Sequence, residues 1–152
     1  MPRPLAEDAA SEVIEIVKIQ ARENWVAARD AAILTLLYGC GLRISEALGL
    51  TGSVLTLSDA LRITGKGGKE RIVPLLPVAK IAMRTYSDLC PFALEPKTPF
   101  FRGVRGGALN PRIVQKAMET ARLQLGLPAS ATPHAMRHSF ATHLLNAGGD
   151  LR

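Results

Sequence analysis

Thr132-Pro133-His134-Ala135-Met136-Arg137-His138-Ser139-Phe140-Ala141-Thr142-His143-Leu144-Leu145 reads as the opening of a helix. Thr132 can cap the first free N–H groups, and Pro133 suits the first helical position, where a missing N–H costs nothing. His134 and Arg137 stand three apart, so both project from one side of the first turn. A helix N-terminus presents unpaired N–H donors and the positive end of the helix dipole. A His and an Arg placed there form a grip for an anion. What else in the chain converges on that anion decides its identity.

The 152 residues suit one domain with its own core. Hydrophobic residues make up 47% and charged residues 21%, which excludes a disordered chain. Lys and Arg number 19 against 13 Asp and Glu, a formal charge of +6 that favours a polyanionic partner. The basicity is uneven. From Arg102 onward Arg102, Arg105, Arg112, Lys116, Arg122, Arg137 and Arg152 face only Glu119 and Asp150, whereas acids slightly outnumber bases up to Asp30. Cys40 and Cys90 lie in apolar stretches without metal or redox spacing, as free thiols of a reducing compartment do. The acids Glu7 and Asp8 argue against a leader peptide, and the apolar run from Ala31 to Leu42 is too short to span a bilayer. The chain is therefore expected in the cytoplasm, with no membrane partner.

Working back to the start, Met1 to Leu5 is a proline-containing lead-in. Glu7 to about Glu23 has helical spacing, with Val13, Ile16 and Val17 as its apolar stripe. Trp25 to Tyr38 leaves little polar face and is expected as a buried helix that Gly39-Cys40-Gly41 stops. A short helix follows from Arg43 to Leu48. Val54 to Leu57, Leu61 to Thr64 and Arg71 to Leu75 are β-patterned, and the glycine-rich Gly65 to Glu70 joins the last two as a hairpin. Lys66 lies at the end of the incoming strand, and the spacing of these glycines is not that of a nucleotide-binding loop. Pro77 to Leu89 and Pro111 to about Leu125, capped by Asn110, are amphipathic helices. The last helix runs to Ala147, with Gly148-Gly149 behind it. The pattern predicts a mainly helical domain with a small antiparallel sheet of about three strands, an α+β fold.

Four residues stand out as chemistry: Arg43, Lys66, His134 and Arg137. Two guanidinium forks can hold the non-bridging oxygens of a phosphodiester and stabilise charge that builds on them. A His can donate to the same oxygens or move a proton, and a Lys on a hairpin tip can protonate a leaving oxygen. Side chains supply the positive charge, so this set calls for no metal and no cofactor, and no acidic cluster is placed to hold magnesium.

Three motifs, in order, carry a family likeness. Leu36-Leu37-Tyr38-Gly39-Cys40-Gly41-Leu42-Arg43-Ile44-Ser45-Glu46-Ala47-Leu48 resembles the first arginine box of tyrosine recombinases, the integrase-type site-specific recombinases. Ile63-Thr64-Gly65-Lys66-Gly67-Gly68-Lys69-Glu70-Arg71 is similar to their lysine hairpin, and Thr132 to Leu145 to their His-x-x-Arg box. The Xer-type bacterial recombinases of chromosome resolution are the nearest in pattern, over almost the whole chain. The resemblance implies a tyrosine recombinase catalytic domain that recombines or integrates double-stranded DNA in tetramers, some with a second recombinase. It also implies roles. Arg43 and Arg137 would clamp the scissile phosphate, with help from His134. Lys66 would be the general acid for the 5′-oxygen. Glu46 would support them from behind. His138, by its place next to Arg137 rather than by the resemblance, reads as a packing or supporting residue.

In that family a tyrosine attacks the phosphate and forms a 3′-phosphotyrosyl bond. The tyrosines here are Tyr38, in the expected buried helix, and Tyr86, on an amphipathic one, and both read as core residues. No nucleophile is therefore expected within this chain. Residues 1–152 are expected to be a single, C-terminally truncated catalytic domain without the family's N-terminal DNA-clamping domain, inactive alone. The rival is a DNA-binding module without chemistry, which would bind weakly and salt-sensitively. A zinc site built on His134, His138 and His143 is a poorer reading, because residue 135 is Ala where a zinc protease needs Glu and His143 falls off the shared face.

Overall fold

The computed structural model describes residues 6, 8–56 and 59–146. Its first two helices are α1 (Ala9–Gln20) and α2 (Asn24–Cys40). α1 buries Val13, Ile14 and Val17 as the apolar spacing requires. Every residue of α2 from Arg29 to Tyr38 is buried, and apart from the Arg29–Asp30 pair and Thr35 these are apolar. This helix is the central element, packed against α1 and against the helices over Pro77–Leu89 and Pro133–Asn146. Gly41 ends it in the left-handed region at φ 74°, a conformation that costs a residue with a Cβ but not glycine. Arg43 then takes an extended conformation, and α3 (Ile44–Leu48) begins.

The expected strand from Val54 to Leu57 is not one. Gly52–Thr56 forms a 3-10 turn, and Leu57 lies outside the described residues. Hydroxyl groups explain the difference. Thr51 Oγ1 and Ser53 Oγ share a hydrogen bond of 2.7 Å, and Thr56 Oγ1 donates to the Ser53 carbonyl at 2.9 Å. These local bonds offer the backbone an alternative to a ladder. Among the described residues the sheet therefore has two strands rather than three, β1 (Ala60–Thr64) and β2 (Glu70–Pro74), paired antiparallel with Ile63 opposite Arg71 and Leu61 opposite Val73. Leu61, Ile63 and Val73 are buried beneath the hairpin, while Ile72 on the other face is exposed.

Proline opens each of the next helices. α4 (Pro77–Leu89) has the bounds its pattern predicts. α5 (Pro111–Gln124) is capped by Asn110 Oδ1, which accepts from Arg112 N at 2.9 Å. Between them, the rings of Tyr86, Phe100 and Phe101 meet with centroids 4.9–5.3 Å apart. The Tyr86 hydroxyl donates to Phe100 O at 2.8 Å and accepts from Arg102 N at 3.0 Å. Arg102, counted above with the basic surface, is buried. Its guanidinium donates to Pro99 O, Gly106 O, Ala93 O and Thr98 Oγ1 at 2.6–3.0 Å, stapling the loops from residue 93 to 106.

The last helix, α6 (Pro133–Asn146), packs across α2 and α1. Gly39 lets it approach. A Cβ on Gly39 would begin 3.0 Å from Phe140 Cε1, tighter than ordinary contact. Ser139 Oγ accepts from Ala10 N at 3.3 Å and donates to Ala6 O at 2.9 Å. Asp8 makes no side-chain cap on α1, so a residue from the far end of the chain supplies one. The expected Met1 to Leu5 lead-in and the Gly148-Gly149 stop lie outside the described residues.

Candidate active site

The first turn of α6 forms as its sequence predicts. Thr132 Oγ1 accepts from Ala135 N at 3.2 Å, which leaves the side chains of the turn free to face outward. His134 is exposed and Arg137 half-buried, and Arg137 Nη2 lies 3.4 Å from His134 Nδ1. The stem of Arg137 passes the bend that ends α2. A Cβ on Gly41 would stand 3.9 Å from Arg137 Cδ. Gly41 is two residues before Arg43, so the bend that stops α2 brings the two arginine motifs side by side. The Arg43 side chain is exposed, with no hydrogen bond or ion pair among the described residues.

Glu46 ties this corner to the hairpin. Its Oε1 accepts from Arg43 N at 2.9 Å. Arg71, at the start of β2, grips the same carboxylate with both ends of its fork, Nη1 to Oε2 at 2.5 Å and Nη2 to Oε1 at 3.0 Å. The Glu46 side chain is only 6% exposed. The Arg71 hydrogen bonds, with help from the Arg43 N–H and both positive charges, outweigh burial and hold its carboxyl down at about 2. Gly65 lies against the pair, with its Cβ position 3.5 Å from Glu46 Oε2, and the next residue is Lys66. Lys66 is exposed in the 3-10 turn at the hairpin tip, Lys66–Gly68.

His134, Arg137, Arg43, Glu46 and the base of the Lys66 hairpin thus follow one another along a continuous strip. His138 is exposed on the next position of α6, and no hydrogen bond of its ring joins the group. Tyr38 and Tyr86 are 2% and 0% exposed. Burial pushes both phenols above their ordinary range, and the Tyr38 hydroxyl has no hydrogen-bond partner among the described residues. Among the described residues no three His, Cys, Asp or Glu side chains gather around one point. Two residues are not announced by the sequence. Arg71 lies inside the hairpin motif with no pattern that links it to Glu46, 25 residues earlier. Ser139 gave no signal at all.

The fold is a helical domain with a two-stranded hairpin, and the chain belongs to the Phage integrase family, which it matches over residues 5–152. It is 58% identical over 154 residues to the tyrosine recombinase XerC of Mesorhizobium japonicum, covering all of this chain and 49% of that protein. The chain spans about half the length of the curated relatives it matches. Among solved structures, XerA recombinase superimposes with a TM-score of 0.66 at 27% identity, over 99% of this chain and 53% of that one. XerH site-specific recombinase, in a post-cleavage complex with a palindromic difH substrate, gives 0.68 at 26% identity, over 96% and 42%. Among the described residues no helix is long and apolar enough to cross a membrane.

Proposed function

We propose that this chain supplies the phosphate-binding and proton-donating part of a site-specific tyrosine recombinase that breaks and rejoins double-stranded DNA. Arg43 and Arg137 hold the non-bridging oxygens of the scissile phosphate and stabilise the charge that grows there as the fifth ligand adds to phosphorus. His134, beside Arg137, donates to one of those oxygens. When a tyrosine oxygen attacks phosphorus, the bond to the 5′-oxygen breaks, and Lys66 gives that oxygen its proton. A 5′-hydroxyl then reverses the step, so the phosphotyrosyl bond carries the energy and no ATP is consumed. Glu46 holds the Arg43 corner, and His138 lines its edge. Neither Tyr38 nor Tyr86 is the nucleophile, because both are sealed in the core. By the same reading residues 1–152 are a single piece of a catalytic domain, inactive alone. The complete site works in the cytoplasm within a DNA-bound tetramer, a second recombinase being a candidate partner.

The observation that supports this reading is the approach of Arg137 Cδ to within 3.9 Å of the Cβ position of Gly41, two residues before Arg43. The test is duplex binding by fluorescence anisotropy over a salt series. Arg43→Ala and Arg137→Ala should each lower the salt slope by about one ion. Unchanged binding by both variants would remove the clamp. A nicked suicide duplex should form no covalent adduct with the chain, and an adduct would overturn the assignment of the tyrosines.

A further inference from the structure

Arg43 and Glu46 stand three apart at the start of one short helix, a spacing at which opposite charges pair. They do not. Both oxygens of Glu46 are already taken by Arg71, at 2.5 and 3.0 Å, and Oε1 also accepts the Arg43 backbone N–H. The carboxylate is almost wholly covered, so a second guanidinium has no way in. Arg71 has no rival for its charge nearby. Its cross-strand neighbour is Ile63, and the adjacent Glu70 turns to the other face, where it lies 3.9 Å from Arg62.

We propose that Arg71 is a positioning residue: by saturating Glu46 it stops Arg43 from folding back onto that carboxylate, and so keeps the Arg43 guanidinium free for a DNA phosphate. The proposal rests on the reading of Arg43 as a phosphate clamp. It also gives Glu46 a purpose. A bare carboxylate beside a scissile phosphate repels it, whereas a carboxylate neutralised by Arg71 anchors the Arg43 backbone without that penalty. Because Arg71 belongs to β2, the same contact fixes the base of the hairpin that carries Lys66.

A double-mutant cycle tests this on the 152-residue chain. Arg43→Ala and Arg71→Ala should each weaken duplex binding about tenfold, the worth of one charged hydrogen bond to phosphate, and lower the salt slope by about one. The double variant should bind no worse than Arg43→Ala. An additive loss of about a hundredfold would show Arg71 touching DNA by itself, and wild-type binding by Arg71→Ala would show that it does nothing; either overturns the proposal. Should Arg71→Ala alter the circular dichroism spectrum, Arg71→Met keeps the stem and repeats the cycle. A second readout needs no DNA. Carbon-13 NMR should find the Glu46 carboxyl still below its ordinary range in Arg71→Ala, because Arg43 has replaced Arg71, and back in that range in the double variant. A return to the ordinary range in Arg71→Ala alone refutes the exchange. If Arg43→Ala bound DNA like wild type, the clamp would fall while this titration still decided the exchange.

Discussion

Arg102 and Arg43 are the same residue put to opposite uses. Arg102 lies in a pocket of oxygen acceptors, three carbonyls and a hydroxyl, which consume its donors. Arg43 and Arg137 sit where acceptors are scarce. Arg137 stands near the start of α6, where its Nη2 lies 3.4 Å from the exposed His134 Nδ1, and the one carboxylate beside Arg43 is occupied by Arg71. A guanidinium surrounded by acceptors is a staple. A guanidinium whose donors are largely unspent at the surface can still take up an acceptor.

The hardest test of that contrast is at the staple. Arg102→Ala should cost roughly 3 kcal/mol in urea unfolding, because it removes four hydrogen bonds to part-buried oxygens at once, and Arg102→Lys should not restore it, since an ammonium cannot span four acceptors. A loss under about 1 kcal/mol would dissolve the distinction. Tyr86→Phe should follow at about 2 kcal/mol, since its hydroxyl satisfies Phe100 O and Arg102 N together. At the other pole, Arg43→Ala should move stability by no more than about 0.5 kcal/mol while weakening duplex binding about tenfold. Tyr38→Phe should be neutral or slightly stabilising in the same unfolding assay, because it removes a buried hydroxyl that has no hydrogen-bond partner among the described residues.

The acid limb of the stability curve holds a last contrast, one of sign between two carboxylates. Glu46 has a native pKa near 2 against an ordinary 4.5, so the unfolded chain binds its proton first. Its contribution is complete above about 4.5 and drains away as pH falls toward 2. Asp30, beside Arg29 and buried, is shifted up from 3.8 by desolvation, which the Arg29 charge only partly offsets. There the folded state keeps the proton longer, and stability falls as pH rises from 3.8 through the raised value. Glu46→Gln should flatten the first change and Asp30→Asn the second, read as unfolding midpoints at stepped pH.

Helix bounds were legible wherever proline and an apolar stripe agreed, as in Pro77–Leu89. The Val54 segment misled because its side chains look β-forming, while the hydroxyls that bend it act locally and leave no periodic mark. The positions of Arg43, His134 and Arg137 could be proposed from motif spacing. That Arg102 is internal could not, since its acceptors are backbone carbonyls, which every residue has. The Glu46–Arg71 bridge joins positions 25 apart on different elements, a distance at which pattern says nothing about contact.

The hydroxyl of Ser139 has a consequence for the order in which the molecule assembles. It joins α6 to Ala6 and Ala10 across separations of 133 and 129 residues, whereas the Arg43 corner meets its hairpin across 25. Closing the longer loop costs about 1.5 kcal/mol more chain entropy. The two ends of the candidate site should therefore mature at different times, with the Arg43, Glu46 and Arg71 contacts expected first, from neighbouring segments, and α6 docking after the first helix is in place. Pulse-labelled hydrogen exchange during refolding should find the amides of α6 protected last. Ser139→Ala should slow that phase more than any other.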